Sequence, residues 1–227
     1  MLEKEGKIRI AIGAPKGSLE KCFDELIQRT GLVPEWKGYQ GYVDTGNCVE
    51  LMFHRLRPQD IPRYISRGDL DIGVIGQDCL RESGFKRVIE ITPLPFTRAG
   101  TKRSVKVVLF VRQDSQICSP RDISKTTKIA TEYPKIAKKY LRKLGIKAVI
   151  ELSHGATESI VRAGFADAGI DIVDGGNTIL ENDLKEIDEV MKSITVLVAN
   201  PRAVADSNKG KVIEKLKTLL LEALEAT

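Results

Sequence analysis

The stretch Asp171-Ile172-Val173-Asp174-Gly175-Gly176-Asn177-Thr178 joins an apolar run to a polar loop that contains two adjacent glycines. The apolar run predicts a buried strand, and the polar loop follows at its carboxyl end. In open α/β sheets, ligands bind outside the carboxyl ends of the strands. Because adjacent glycines let backbone N–H groups approach an anion closely, the stretch predicts a phosphate-binding loop in an α/β fold. An ordinary glycine turn is the alternative interpretation.

Strands and helices alternate on both sides of this loop. Before it, we predict strands at 7–12, 49–53, 71–75, 105–111, 128–130, 148–152 and 169–173, with helices between most of them and a hairpin or loop at 34–48. After it come strands near 186–190 and 194–198, then a long final helix. The alternation predicts an α/β fold with largely parallel sheets. Residues 97–103 are polar, basic and unpatterned, and we interpret them as a linker or hinge.

Composition limits the class of ligand. Lys and Arg total 36 and Asp and Glu total 31, so the formal net charge of +5 is a mild surplus that suits a small anion as well as a polymer. The aromatic content of 5% is poor material for base stacking, and no nucleic-acid motif is visible, so we expect no nucleic-acid partner. The four cysteines are scattered and the two histidines lie far apart, so we expect no metal site made by the protein alone.

The chain shows no targeting pattern. The apolar run after the charged N-terminal residues is too short for a signal-peptide core, and no stretch approaches the ~20 apolar residues of a membrane span. We therefore expect a cytoplasmic protein without membrane association.

Two further turns offer groups for anions. Ser153-His154-Gly155-Ala156-Thr157-Glu158 lies between a predicted strand and a predicted helix, where free N–H groups attract anions and Glu158 could reach a ribose. Lys16-Gly17-Ser18 places a cation at the first strand-to-helix turn. Plain helix caps and a solvated lysine are the alternative interpretations.

A fourth group centres on Arg57, with Asp60, Gly76 and Asp78 nearby in the sequence. A guanidinium at this position could stack on a purine or bind phosphate oxygens in bidentate fashion. A structural Arg57–Asp60 ion pair is the alternative.

Taken together, these stretches resemble the ATP phosphoribosyltransferase family along almost the whole chain. No one motif is specific, but their order and spacing together are. The matching motifs are Pro15-Lys16-Gly17, Arg57-Pro58-Gln59-Asp60-Ile61-Pro62, Asp71-Ile72-Gly73-Val74-Ile75-Gly76-Gln77-Asp78, Ala130-Thr131-Glu132-Tyr133-Pro134, Ala166-Asp167-Ala168, the 171–178 stretch and Asn200-Pro201.

The resemblance implies two lobes of the type II periplasmic-binding-protein kind around a central cleft. Residues 1–102 plus 184–227 would form the lobe that binds ATP, and residues 103–183 the lobe that binds phosphoribosyl pyrophosphate. The ATP contacts implied are Lys16, Arg57 and Asp78, with Arg57 also catalytic. The implied contacts of phosphoribosyl pyrophosphate are Glu158, Asp167, Asp171, Asp174, Gly175, Gly176, Asn177 and Thr178, the last five around the 5-phosphate.

The implied reaction transfers the 5-phosphoribosyl group from phosphoribosyl pyrophosphate to N1 of ATP and releases pyrophosphate, the first step of histidine biosynthesis. Mg²⁺ would be held mainly through the pyrophosphate. The length implies the short form of the family, as a homodimer or as a hetero-oligomer with a regulatory subunit that resembles a histidyl-tRNA synthetase. The alternative function is a two-lobed small-ligand binding module without catalysis.

Two positions depart from the family pattern. Ser18 stands where the family often has an arginine, so that phosphate contact is not implied here. Asp174-Gly175 stands where a hydroxyl pair is commoner, and the extra carboxylate beside a phosphate needs Mg²⁺ or backbone donors to offset its charge.

Overall fold

The computed structural model describes residues 7–46, 48–96, 104–173, 179 and 182–226. Its strands are β1 Ile8–Pro15, β2 Glu35–Lys37, β3 Gln40–Asp44, β4 Val49–Leu56, β5 Ile72–Gly76, β6 Ile89–Leu94, β7 Val105–Arg112, β8 Lys128–Thr131, β9 Val149–Leu152, β10 Ala168–Val173, β11 Leu184–Ser193 and β12 Thr195–Ala199. Its α-helices are α1 Glu20–Arg29, α2 Ile61–Arg67, α3 Gln77–Ser83, α4 Pro134–Leu144, α5 Thr157–Arg162, α6 Pro201–Ala205 and α7 Lys209–Glu225, and Pro120–Asp122 forms a 3₁₀ turn.

The chain divides into two compact units. The first comprises Met1–Arg103 with Ile194–Thr227, and the second comprises Ser104–Ser193. The boundary expected at residue 184 is therefore wrong. Leu184–Ser193 belongs to the second unit because β11 pairs along its length with β7.

The first unit is built on a seven-stranded sheet of order β2-β3-β4-β1-β5-β12-β6. Strands β4, β1 and β5 run parallel, whereas β12 runs antiparallel to both β5 and β6. Helices α1 and α7 bury Phe23, Leu26 and Ile213 in one core, and α2 and α3 bury Ile61 and Cys79 in another. Removal of these apolar side chains from water stabilises the packed layers.

The second unit is built on a five-stranded sheet of order β11-β7-β10-β8-β9. Strands β10, β8 and β9 are parallel, and β7 is antiparallel to both of its neighbours. Leu141 of α4 packs in one core with Ile129 and Ile170, and Val161 of α5 packs in another with Phe110. Both sheets are therefore mixed, and the expectation of largely parallel sheets is wrong.

Other differences from the sequence interpretation are local. Strand β1 continues to Pro15, beyond the strand predicted at 7–12, because its pairing with β4 extends to Pro15 opposite Leu56. Strand β6 and helix α6 were not predicted. Across the part of the chain that the structure describes, no helix combines the length and the apolar character needed to cross a membrane.

Candidate active site

Lys16 and Arg57 emerge side by side at one edge of the first sheet. Strands β1 and β4 are parallel neighbours with Pro15 opposite Leu56, so the residues that follow them leave the same edge. The Lys16 N–H donates to the Leu56 carbonyl at 2.7 Å, which extends the pairing by one residue. Both side chains are exposed, so two cations face solvent within about one strand spacing.

Tyr39 lies beside this pair of cations. The Lys16 ammonium donates to the Tyr39 hydroxyl at 3.2 Å and lies 4.4 Å from the centroid of its ring. The Arg55 N–H donates to the Tyr39 carbonyl at 2.8 Å, which fixes the β2–β3 hairpin against β4. With 63% of its surface exposed, the Tyr39 ring is available to a ligand. We had not selected it from the sequence, where its only signal is an aromatic residue in a glycine-rich segment.

Arg57 is held through its backbone and leaves its side chain free. Its carbonyl accepts the Asp60 N–H at 2.9 Å, in the turn that begins α2. Among the described residues the Arg57 guanidinium has no salt bridge, so the structural Arg57–Asp60 pair is not formed. Asp60 occupies the N-cap position of α2, but its side chain makes no capping hydrogen bond. The turn therefore presents an exposed, uncompensated guanidinium.

Two glycines bring helix α2 down onto the strands that carry this edge. Gly13 of β1 lies opposite Gly73 of β5 in the parallel register. A Cβ atom at Gly73 would lie 2.5 Å from Cγ2 of Ile61, and one at Gly13 would lie 2.9 Å from the same atom. Since real Cβ atoms do not approach this closely, the missing side chains set the height of α2 and of the Arg57 turn that precedes it.

Asp78 follows β5 at the same edge, but its carboxylate is turned into the protein. Only 3% of the residue is exposed, and it accepts a hydrogen bond from the Cys79 thiol at 3.3 Å. A Cβ atom at Gly76 would lie 2.2 Å from Asp78 Oδ1, so the carboxylate folds back over that glycine. Asp78 therefore shapes the turn and does not present itself to a ligand as we had expected.

In the second unit, Asp171 lies near the carboxyl end of β10 beside two other carboxylates. Strands β10, β8 and β9 are in parallel register, so Glu132 and Ser153, which follow β8 and β9, leave at the same edge. Asp171 accepts hydrogen bonds from the Thr157 hydroxyl and from the Ile172 N–H, the second at 2.7 Å. The Thr157 and Ser153 hydroxyl oxygens lie 2.9 Å apart, and both residues are buried.

The pKa of Asp171 is raised to about 6. Burial of the carboxylate is the largest cause, and the negative charges of Glu132 and Glu158 raise it further. The bonds from Thr157 and from the Ile172 N–H act in the opposite direction and are too weak to restore the usual value. A cluster of acceptors in this state suits a ligand that brings hydroxyl donors, such as a ribose.

The turn before α5 holds Glu158 in this cluster. Ala156 adopts a left-handed backbone conformation with φ of 50°, which is strained for a residue with a side chain. Gly155 has φ of +106°, and a Cβ atom there would lie 3.5 Å from Glu132 Oε1. The turn therefore lies against Glu132. Glu132, Ser153 and Thr157 stood in motifs that we had noted, but we had not selected them as site residues.

Asp167 does not join the cluster. It precedes β10 and accepts the Lys128 N–H at 2.8 Å, at the start of β8. Asp171 is four residues farther along the same strand, a separation of about 13 Å. The structure therefore places Asp167 at the opposite edge of the sheet, where it ties two strands together, away from Asp171 and its neighbours.

The five residues Asp174, Gly175, Gly176, Asn177 and Thr178 lie outside the described residues. The structure bears only on β10, the strand that leads to them. No three histidine, cysteine or acidic side chains in the described ranges are arranged to hold a metal ion.

Comparison with known proteins identifies the family. Residues 57–222 match the HisG family, ATP phosphoribosyltransferase. The ATP phosphoribosyltransferase of Trichlorobacter lovleyi is 35% identical over 220 residues, 96% of this chain and 73% of that protein. That of Nitratidesulfovibrio vulgaris (Miyazaki F) is 37% identical over 224 residues, 97% and 74% of the two chains. The chain belongs to the ATP phosphoribosyltransferase family.

Solved structures support the same assignment. The ATP phosphoribosyltransferase HisG:HisZ complex of Thermotoga maritima contains a chain that superposes with a TM-score of 0.79 and 26% identity, over 96% of this chain and 100% of that one. The aliphatic sulphonate-binding protein SsuA of Escherichia coli, at 16% identity, superposes with a TM-score of 0.59 over 95% of this chain and 72% of that one. This second likeness concerns the fold alone and confirms the expected α/β fold of the type II periplasmic-binding-protein kind. Membership of the family confirms the expected enzyme class, a phosphoribosyltransferase.

Proposed function

We propose that this chain transfers the 5-phosphoribosyl group from phosphoribosyl pyrophosphate to N1 of ATP with release of pyrophosphate, the first step of histidine biosynthesis. The observation that carries the proposal is the division of complementary groups between the two units. One sheet edge of the first unit presents the cations Lys16 and Arg57. The second unit groups the acceptors Glu158 and Asp171, and Asp171 lies on the strand that leads to the glycine-containing residues 174–178. Membership of the ATP phosphoribosyltransferase family supports it independently.

We place the phosphoribosyl group on the second unit. Glu158 and Asp171 accept hydrogen bonds from the ribose hydroxyls, and the backbone of residues 174–178 binds the 5-phosphate. Support comes from strand β10, which carries Asp171 and delivers the chain to residue 174. Thr157 keeps the Asp171 carboxylate oriented through its hydroxyl.

We place ATP on the first unit. Arg57 and Lys16 bind phosphate oxygens, and the Tyr39 ring offers the purine an exposed aromatic surface next to Lys16. Asp78 does not contact ATP in this arrangement; it holds the turn after β5 in place. Arg57 is the proposed catalytic residue, because a planar guanidinium can neutralise the charge that develops on the departing pyrophosphate.

The chemistry needs positioning more than proton transfer. The lone pair of adenine N1 forms the new bond to the anomeric carbon as the bond from that carbon to the pyrophosphate oxygen breaks. The nucleophile carries a lone pair already, so no general base is needed to generate it. Alignment of the two substrates and stabilisation of the leaving group therefore supply most of the rate enhancement.

Enzymes of this family use a divalent cation, and we propose that it is Mg²⁺ bound to the pyrophosphate group. The described residues contain no cluster of three metal ligands. The carboxylates of Glu158 and Asp171 offer it oxygen ligands of the kind that Mg²⁺ prefers. We derive no step through the cation.

We also propose a partner. The Thermotoga maritima structure is a HisG:HisZ complex, and its matching chain is covered in full by the superposition. We infer that this chain works in a hetero-oligomer with a regulatory subunit that resembles a histidyl-tRNA synthetase. A homodimer of this chain is the alternative assembly, and the mass of the complex in solution distinguishes the two.

A coupled assay of pyrophosphate release tests the proposed activity. The full chain is incubated with Mg²⁺, ATP and phosphoribosyl pyrophosphate, with and without the candidate regulatory subunit, and each substrate is omitted in turn. We expect release only when both substrates are present, and loss of release in an Asp171→Asn variant that still folds. Binding of both substrates without release in either the isolated chain or the complex would instead support the non-catalytic binding module.

A further inference from the structure

The first unit contains a cavity that the proposed activity does not use. Its volume is about 530 Å³, and it lies among the end of α2, the start of β5, helix α6 and the start of α7. Three arginines line it, Arg67, Arg87 and Arg202. We call it the arginine cavity.

The arginine cavity is separate from the candidate ATP site. Asp71, in its wall, precedes β5 and accepts the Ala11 N–H of β1 at 2.9 Å. Lys16 follows Ala11 by five residues along that strand, a distance of about 17 Å. The cavity therefore lies at the amino end of β5, and Lys16 and Arg57 lie at the opposite edge of the same sheet.

The two acidic side chains that line the cavity already have hydrogen-bond partners. The Lys209 ammonium donates to both oxygens of Asp71, at 2.8 Å and 3.0 Å. Asp206 accepts the N–H groups of Asn208 and Lys209 at the start of α7, and these bonds lower its pKa. Both carboxylates are thus satisfied by partners other than the arginines.

The three guanidiniums are left without counter-ions. Arg67, Arg87 and Arg202 are exposed to the cavity and solvent, and none of them forms a salt bridge with any residue that the structure describes. The lining therefore carries four cations and two carboxylates, and one of those carboxylates is paired with Lys209, so the cavity has a surplus of positive charge. Such an arrangement attracts anions.

Asn200 contributes a hydrogen-bonded side chain to the wall. Asn200, only 7% exposed, donates to the Ile65 carbonyl at 2.7 Å and accepts the Arg202 N–H at 2.8 Å. These two bonds fix the position at which Arg202 enters the cavity. Pro201 and Ala203 add apolar surface to the wall.

We propose that the arginine cavity is a binding site for a phosphorylated small molecule, distinct from the two substrate sites. Guanidinium groups match phosphate oxygens in bidentate geometry, and three of them suit a group with more than one negative charge. The volume of about 530 Å³ falls in the range of ordinary ligand pockets and exceeds what one phosphate fills, so the ligand carries an organic body. This proposal does not depend on the catalytic one.

Nuclear magnetic resonance with inorganic phosphate as the probe shows which backbone amides respond to the anion, and so tests where it binds. The nitrogen-15-labelled full chain is titrated at constant ionic strength, with chloride replaced by phosphate. We expect the backbone amides of Gly68, Arg202 and Lys209 to shift and to saturate. Shifts confined to other parts of the chain, or equal shifts when chloride alone is raised, would overturn the proposal.

A charge-matched pair of variants makes the test specific. In Arg67→Ala/Arg87→Ala/Arg202→Ala we expect the phosphate dissociation constant at these amides to rise by about tenfold or more, the equivalent of ~1.4 kcal/mol. The control Arg121→Ala/Arg142→Ala/Lys143→Ala removes three exposed cations of the second unit and is expected to bind as the unmodified chain does. Unchanged binding in the first variant, or equal loss in both, contradicts the proposal. If the triple variant does not fold, the single Arg202→Ala variant replaces it, and we expect its phosphate dissociation constant to rise by about threefold.

Discussion

Asp171 is a carboxylate that the surrounding protein makes harder to ionise than it would be in water. Burial opposes its charge, and two neighbouring carboxylates oppose it too, whereas the Thr157 hydroxyl and the Ile172 N–H stabilise it. The opposing effects dominate, and the pKa is raised to about 6. A substrate that brings hydroxyl donors or a cation relieves the same cost, which is why we propose this residue for a binding site.

This raised pKa predicts a pH-dependent stability. The folded value of about 6 exceeds the usual 3.8, so the folded protein holds the proton more tightly than the unfolded chain does. The charged carboxylate therefore destabilises the fold, an effect that is absent below the lower value, complete above the higher one and lost in Asp171→Asn. We expect the free energy of unfolding of the variant, relative to that of the unmodified chain, to be larger at about pH 7 than at about pH 4. Urea unfolding of both proteins at the two pH values measures this difference, and an equal difference at both would contradict the prediction.

Arg57 carries the second prediction at this scale. Arg57→Lys keeps the charge but loses the planar fork, so we expect kcat/KM to fall by about tenfold or more, ~1.4 kcal/mol of transition-state stabilisation. The assay is pyrophosphate release at limiting ATP. Arg121→Lys, an exposed arginine of the second unit, is the control and should retain the full rate. An unchanged rate in Arg57→Lys would remove Arg57 from the catalytic role.

At the scale of elements, the position of helix α2 depends on the absence of side chains at Gly13 and Gly73. The two glycines are paired across β1 and β5, and both lie beneath Ile61. The helix follows the Arg57 turn directly, so its height above the sheet sets where that turn is held. Packing in the core of the first unit is in this way linked to the candidate ATP site.

Gly73→Ala tests this link. The new Cβ would lie 2.5 Å from Ile61 Cγ2, so α2 must move, and we expect a loss of ~1–3 kcal/mol in the free energy of unfolding. Activity should fall with it, because the Arg57 turn moves as well. The matched background is Ile61→Ala, which removes the clashing methyl group and should reduce the cost of Gly73→Ala measured by urea unfolding. If the cost is the same in both backgrounds, the glycine has some other role.

At the scale of the whole molecule, the two units have separate cores and separate sheets. The first unit is made of two segments of the chain, and the second is a single insertion between them. A substrate that binds groups of one unit should stabilise that unit first. The proposed division of ATP and phosphoribosyl pyrophosphate between the units can therefore be observed directly.

Hydrogen exchange with each substrate alone measures that division. With Mg²⁺ and phosphoribosyl pyrophosphate we expect slower exchange in peptides that contain Ser153, Glu158 and Asp171. With ATP alone we expect it in peptides that contain Lys16 and Arg57, because ligands slow the local opening that permits exchange. Peptides around Asp167 serve as an internal control and should change less than those around Asp171. Protection by ATP confined to the second unit would contradict the assignment.

Local patterns in the sequence were sufficient for much of the fold. Helix α4 has proline at its first position and Gly145 directly after its last residue, and both residues act locally, so its ends can be predicted from the sequence. Strand β6 was missed, since its partner β12 lies about a hundred residues farther along the chain. The membership of β11 in the second unit was missed for the same reason, because its partner β7 lies far earlier in the chain and the local sequence does not reveal the pairing.

The sequence by itself determined the α/β class, the family and the three strand ends that carry Lys16, Arg57 and Asp171, since strand-loop-helix patterns and motif order depend on neighbouring residues. Only the tertiary structure decided where the expected side chains lie. Asp78 and Asp167 have the right chemistry, but one is buried against Gly76 and the other lies at the far edge of its sheet. Strand direction and side-chain burial arise from contacts between residues that are distant in the chain. For that reason the grouping of Glu132, Thr157 and Asp171, and the arginine cavity, become visible only in the folded protein.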